Sequence, residues 1–254
     1  MFTQALTWLR TALFALLVTL SLLLHIPILL IGYFLPFKQR YHLLYSFGRS
    51  VLWLARVITG IRHEVEGLEH LDPAGGNLVL AKHQSTWETM FLVSVLRFPA
   101  FILKRELLRI PIFGQGLKAI VPIAIDRAAG RKALAEILTQ GTAALAAGRD
   151  VVIFPEGTRR LPGAPANYRI GGAMLAERSQ ARVVPMAIDS GCLWPKKGFR
   201  IHPGTIHVVF GPPIETQGRT ATEINHAVQE WIEATQETLY TRHGCINHLS
   251  NPAG

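Results

Sequence analysis

From Thr11 to Leu35 the chain reads TALFALLVTLSLLLHIPILLIGYFL, a run without Lys, Arg, Asp or Glu, in which His25 and Tyr33 are the titratable side chains. As one straight helix, roughly 25 residues reach about 37 Å, against a hydrocarbon core of about 30 Å. Such a run belongs with a membrane. Pro27 removes one helical hydrogen bond and tends to kink or end the helix. A tilted span, a kinked span and a re-entrant hairpin all satisfy the pattern. A cleavable signal peptide fits less well, because the run exceeds an h-region and no A-x-A-like site follows it. Arg10 precedes the run while Lys38 and Arg40 follow it. That mild excess puts its C-terminal side in the cytoplasm.

Tyr41–Ile61, YHLLYSFGRSVLWLARVITGI, is again mostly apolar, with Arg49 and Arg56 on one helical face. The pattern suits a helix in the interface, with its arginines on lipid phosphates. An ordinary core helix with two solvated arginines is the plainer alternative. The 254 residues suffice for one sizeable domain, and 26 Lys and Arg against 17 Asp and Glu give a net charge of +9. A basic balance favours anionic partners. The cations are scattered in ones and twos, so nucleic acid is not expected. Cys192 and Cys245 are far apart and outside any metal spacing. They suggest a reducing compartment and argue against a disulfide, a zinc site or a redox pair. No neighbouring sequence supports a thiol nucleophile.

Beyond Arg62 the texture changes. Asn77–Lys82, Ala100–Lys104, Ile120–Ile125, Val151–Phe154 and Arg182–Ile188 are short apolar runs followed by turn residues, each readable as a strand. Helices are expected from Thr86 to Arg97 and over Gly130–Ala147, the latter closed by Gly148. Phe199–Phe210 has Pro203-Gly204 at its middle and reads as a hairpin, with His202 and His207 facing solvent. Thr220-x-x-Glu223 is a capping-box signature opening a last helix. Alternating strands and helices predict an α/β fold with a mostly parallel or mixed sheet flanked by helices. The expected division is 1–61 for membrane-associated helices, 62–242 for the domain and 243–254 for a flexible tail. Ligands of such sheets gather beyond the carboxyl ends of the strands.

His83 follows the NLVLAK strand, and Glu88 comes five positions later in KHQSTWET. A strand end would hold the imidazole at the sheet edge while the next turn returns a carboxylate to its second nitrogen, which makes a general base. With 10 His and 17 acidic residues in 254, about 0.7 such pairs arise by chance, so the pattern alone assigns nothing. Ser85-x-x-Glu88 is also a capping box, and Glu88 has that second use.

Three more blocks follow strands. FPEGTRR (Phe154–Arg160) makes a tight turn at Pro155 and Gly157 that projects Glu156, Thr158 and Arg159, with backbone amides suited to a phosphate or hydroxyl. In LKRELLRIPIFG (Leu103–Gly114), Lys104 and Arg105 close a strand and can clamp a phosphate. VVPMAIDSG (Val183–Gly191) is a strand interrupted by Pro185, which by itself suggests an edge or bulge.

In this order KHQSTWE, LKRELLRIPIFG, FPEGTRR and VVPMAIDSG resemble the four blocks of the glycerolipid acyltransferase family, in particular its lysophosphatidate acyltransferase branch. The resemblance spans roughly residues 80–191, and Glu88 departs from it, since the family more often has Asp there. It implies that His83 is the catalytic base and Glu88 its charge-relay partner. It implies that Arg105, Glu156, Gly157 and Arg159 bind the acceptor, with Lys104 and Thr158 beside them, and that Pro185 belongs to a block tied to catalysis or donor binding. It further implies transfer from acyl-CoA or acyl-carrier protein to the free hydroxyl of 1-acyl-sn-glycerol 3-phosphate, without cofactor or metal, on the cytoplasmic face of the inner membrane. The alternatives are the same chemistry on glycerol 3-phosphate, a lysophospholipid or an acylated amino acid lipid, a membrane thioesterase or lipase, and a non-enzymatic lipid- or nucleic-acid-binding protein.

Overall fold

Short apolar runs bounded by turn residues cannot fill a helix, and the fold uses them as buried strands. The computed structural model describes residues 2–32, 34–110, 113–196 and 200–245. Its strands are β1 (Ile61–Glu66), β2 (Leu78–Ala81), β3 (Ala100–Lys104), β4 (Ile123–Ile125), β5 (Val151–Ile153), β6 (Val183–Ile188) and β7 (Gly204–Phe210). Among the described residues they form one sheet in the order β1-β7-β6-β2-β5-β3-β4, parallel throughout except at β6–β7. The expected mixed sheet is the one observed. Strands β2, β5 and β6 are buried along their whole length, because both faces of the sheet are covered.

Helices α1 (Phe2–Gly32), α2 (Phe37–Leu54) and α3 (Trp87–Val95) lie toward one face; α4 (Phe113–Ala119) contacts α1. On the other face pack α5 (Arg131–Ala146), α6 (Gly171–Ser179) and α7 (Ala221–His243). The Thr220–Glu223 capping box is present at the start of α7, and Gly148 follows α5 at φ +69°. Pro27 lies inside α1 without ending it. Where a helix through Ile61 was expected, α2 instead widens into a π turn over Ala55–Thr59, and Ile61 opens β1.

The N-terminal helices are docked on the sheet domain. Ile201 N–H donates to Thr11 Oγ1 at 3.1 Å, and the Phe14 ring meets Trp194 edge-on at 5.3 Å. His25 reaches Ser46 Oγ from Nε2 at 3.4 Å, tying α1 to α2. Arg149 fixes α2 from below, donating to Tyr41 Oη at 2.7 Å and to the Phe98 and Val121 carbonyls.

Three expectations need correction. The expected hairpin over Phe199–Phe210 is a single strand, β7; Phe199 lies outside the described residues, and Ile201 and His202 spend their amides on Thr11 and Leu193 rather than on a partner strand. Pro185 lies within the interior strand β6. Its missing N–H is tolerated there because β7 has ended at Phe210 and Gly211 N–H donates to the Pro185 carbonyl, a local break in the ladder. Cys192 and Cys245 are bonded as a disulfide, with Cα atoms 5.6 Å apart. The end of α7 packs beside the turn after β6, a proximity that a separation of 53 residues conceals. Of the tail expected to be flexible, His243 ends α7 and Cys245 is buried, while 246–254 lie outside the described residues, as do Pro111 and Ile112 of the second block.

Gly67, after β1, has φ +78°, and a Cβ there would lie 1.9 Å from the Phe210 carbonyl oxygen. The neighbour is backbone and cannot swing away. Gly67→Ala is therefore expected to destabilise the fold by about 2 kcal/mol or more, the left-handed backbone alone costing about 1–2 kcal/mol. Denaturation midpoints measure this, and the specific activity of the folded fraction should be unchanged.

Candidate active site

Because β2 and β5 are parallel neighbours, the segments that leave their carboxyl ends must lie side by side. These segments are His83–Thr86 and Phe154–Arg160. They are stitched together at the main chain: Arg160 N–H donates to the His83 carbonyl at 2.8 Å, and His83 N–H donates to Glu156 Oε2 at 3.2 Å. The Gly157 N–H closes the turn on the Phe154 carbonyl at 2.9 Å, with Gly157 at φ +68°.

The His83 ring is gripped on two sides. Its face stacks on Phe154 with centroids 3.9 Å apart, and its Nδ1 lies 2.8 Å from Glu88 Oε1. Its side chain stays 17% exposed, whereas that of Glu88 is 0% exposed. Glu88 is reached by five donors: His83 Nδ1, the amides of Gln84 and Ser85, and the hydroxyls of Ser85 and Ser190. The capping-box use and the histidine use of Glu88 therefore coexist, since one carboxylate has room for both. Burial by itself would raise the Glu88 carboxyl, but the His83 bond, the His83 charge and the Ser85 bonds outweigh it and hold the group below its ordinary value. An ionised Glu88 accepts a proton bond from Nδ1, which leaves the lone pair of the neutral imidazole on Nε2.

His83 borders a cavity of about 690 Å³, within the range of about 300–1,000 Å³ common for ligand sites. Leu103, Ile120, Ile125, Leu134 and Ile137 make most of it aliphatic, and Leu44 of α2 brings one wall to the N-terminal helix pair. Lys104, Arg159 and Arg169 add the cations, and Gly157 and Thr158 also border it. Arg159 Nη1 is held by Thr86 Oγ1 at 3.0 Å, and Thr158 Oγ1 accepts from Lys196 at 3.4 Å.

The expected site residues divide in space. His83, Lys104, Gly157, Thr158 and Arg159 share the cavity, with Glu88 directly behind the imidazole. Arg105 does not border the cavity and is paired with Glu136 at 2.6 Å. Glu156 is turned inward, where Oε1 meets the buried Lys82 ammonium at 3.0 Å and Lys82 also meets Glu233 at 2.7 Å. In this position Glu156 anchors the His83 amide. Two residues escaped sequence reasoning. Arg169 precedes the Gly171-Gly172 start of α6, a cation beside a close backbone approach that was a usable signal. Ser190 stands in the Asp-Ser-Gly that ends the fourth block.

A protein-family model described as Acyltransferase matches residues 62–189. The 1-acyl-sn-glycerol-3-phosphate acyltransferase of Pseudomonas aeruginosa is 40% identical over 218 residues, 84% of each chain. The human 1-acyl-sn-glycerol-3-phosphate acyltransferase alpha is 30% identical over 213 residues, 81% of this chain and 75% of its own. In fold, the chain matches the crystal structure of the 1-acyl-sn-glycerophosphate acyltransferase of Thermotoga maritima with a TM-score of 0.76 at 23% identity, over 92% of this chain and 97% of that one.

Proposed function

The chain belongs to the acyltransferase family, and from that premise we propose that it transfers a fatty acyl group from a thioester to the free hydroxyl of 1-acyl-sn-glycerol 3-phosphate, forming phosphatidate. The observation that carries this reading is a histidine with a buried carboxylate on Nδ1 and its Nε2 side left for a cavity that is cationic at one part and aliphatic at another. A lysophosphatidate has these two halves.

In the proposed step, His83 Nε2 takes the hydroxyl proton as the oxygen attacks the thioester carbonyl. The carbon–sulfur bond then breaks, and the leaving thiolate recovers the proton from the imidazolium. Glu88 stabilises that imidazolium by charge and by holding its plane. Neither a Ser nor a Cys nucleophile is needed, nor a cofactor. Lys104, Arg159 and Arg169 offer cations to the phosphate, which carries about −1.5 to −2 charge. The aliphatic wall takes an acyl chain. Acyl-CoA and acyl-carrier protein are both anionic donors that a +9 chain attracts.

The same reading places the enzyme on the cytoplasmic face of the cell membrane. Helix α1 is long and apolar enough to cross a bilayer, yet it carries exposed Leu9, Leu24 and Ile31 on one side while Thr11 and Phe14 dock on the domain. Trp53, 62% exposed, and Arg49 and Arg56 continue that surface along α2 and its π turn. This supports a helix pair dipping into the bilayer beside the domain. The cytoplasmic assignment rests on Lys38 and Arg40, since the disulfide withdraws the support once expected from the cysteines.

A panel of acceptors tests the function. Detergent-purified enzyme with acyl-CoA should turn over lysophosphatidate faster than glycerol 3-phosphate or lysophospholipids with larger headgroups; a preference for another acceptor would reassign it. In the same assay, Arg159→Ala and Lys104→Ala should each raise the lysophosphatidate KM about tenfold to a hundredfold, the worth of one charged hydrogen bond. The KM for the donor should move little. Ile137→Trp should shift acceptor preference toward lysophosphatidates with shorter acyl chains, read from a chain-length series.

A further inference from the structure

Behind β6, away from the cavity, three side chains with metal-ligating atoms converge that the transfer reaction does not use. We propose that Asp189, His207 and His243 form a binding site for a divalent transition-metal ion of the zinc class, which braces the end of α7 against the sheet. Their ligating atoms all lie within 4.8 Å of one another. His207 Nδ1 is 2.7 Å from Asp189 Oδ2, and the His207 and His243 rings are parallel, with centroids 3.4 Å apart and an 8° interplanar angle. Asp189 is buried; its Oδ1 is fixed by the His207 amide at 2.7 Å, and its Oδ2, bonded to His207 Nδ1, would exchange that contact for the ion. None of the three lines the catalytic cavity.

The sequence pattern puts His207 in solvent, and the family resemblance implies no metal; the three ligands come from widely separated segments, the turn after β6, the middle of β7 and the last turn of α7. The topology joins them. His207 has a half-buried ring under α7. Two nitrogens and one carboxylate oxygen suit zinc, cobalt or nickel, whereas calcium and magnesium prefer all-oxygen shells. Zinc bonds of about 2.0–2.2 Å require the two stacked rings to turn until a nitrogen of each points at the ion.

The placement gives the ion a consequence. Asp189 and Cys192 stand on one segment, His243 and Cys245 on the other, so the ion and the disulfide would join the same two pieces of chain. Between Asp189 and Cys192, Ser190 donates to Glu88. The brace thus acts on the turn that supports the buried carboxylate.

The test uses untagged full-length protein in detergent, stripped with chelator, then titrated with Co2+ and followed by visible absorption and calorimetry. The wild type should bind one ion per chain with the intense bands of a low-coordinate cobalt site. His243→Ala, at the accessible side of the cluster, should weaken binding at least about tenfold and remove those bands. His207→Ala should do the same, with near-ultraviolet circular dichroism confirming that each variant is folded. If His207→Ala does not fold, His243→Ala decides. The double variant Cys192→Ser/Cys245→Ser should still bind. The proposal is overturned by a wild type without saturable binding, by binding that His243→Ala leaves unchanged, or by binding lost in the cysteine variant alone, which would assign the ion to the thiols.

Discussion

His83→Ala should lower the rate of acyl transfer to lysophosphatidate by at least about 100-fold while leaving the fold intact. The magnitude follows from general-base assistance, worth roughly 10²–10⁴ in rate. The fold should survive because the imidazole is partly exposed and its side-chain hydrogen bond runs to Glu88, which retains four other donors. Glu156 and Arg160 bind the backbone of residue 83, not its ring, so the β2–β5 junction persists in the variant. The measurement is kcat with saturating donor and acceptor, alongside a thermal midpoint within a few degrees of wild type. Activity retained within a few-fold would remove this imidazole from the reaction.

Glu88→Gln should damage both activity and stability. The amide keeps one acceptor oxygen and replaces the other with a donor, which then confronts donors from Ser85 or Ser190. Leaving one such buried group unsatisfied costs about 1–3 kcal/mol. The lost charge also releases the Nδ1 tautomer and no longer stabilises the imidazolium, so turnover should fall about 100-fold or more. The pH dependence has a definite sign. The folded-state carboxyl is held below its ordinary value of 4.5, so its contribution is fully present above that value and is lost as pH falls through the lower, folded one. A thermal midpoint followed from neutral to acid pH should therefore show a steeper acid limb in wild type than in Glu88→Gln. Parallel acid limbs would contradict the role given to the carboxylate.

How much of this was legible depends on where each signal resides. Strands β2, β5 and β6 were readable because burial on both faces demands unbroken apolar runs, and α5 and α7 because periodicity, a capping box and Gly148 agree. Strand β1 was hidden: IRHEVE carries charges because it is an edge strand, paired on one side by β7 and wet along much of its length. Helix α6 was hidden by Gly171-Gly172, poor helix formers by propensity. A Cβ on Gly172 would come within 2.8 Å of Leu80, so the glycine is there to let the helix approach β2. In the site, His83, Glu88 and the turn after β5 were visible because chemistry placed just after strands follows from sheet topology. The inward turn of Glu156 was not visible, since it depends on Lys82 being buried and needing carboxylates. By sequence Arg105 is a substrate cation, and only the fold sets Glu136, on another element, beside it. The disulfide and the Asp189–His207 pair are likewise contacts between segments distant in sequence.

The most direct test of the mechanism is the acceptor dependence of thioester cleavage. Purified wild-type enzyme with acyl-CoA should release thiol at a rate that rises with lysophosphatidate and matches phosphatidate formation mole for mole, with little release in its absence. Thiol and free fatty acid appearing at the same rate without any lysophosphatidate would show that His83 activates water, and the transfer mechanism argued from its cavity would be wrong.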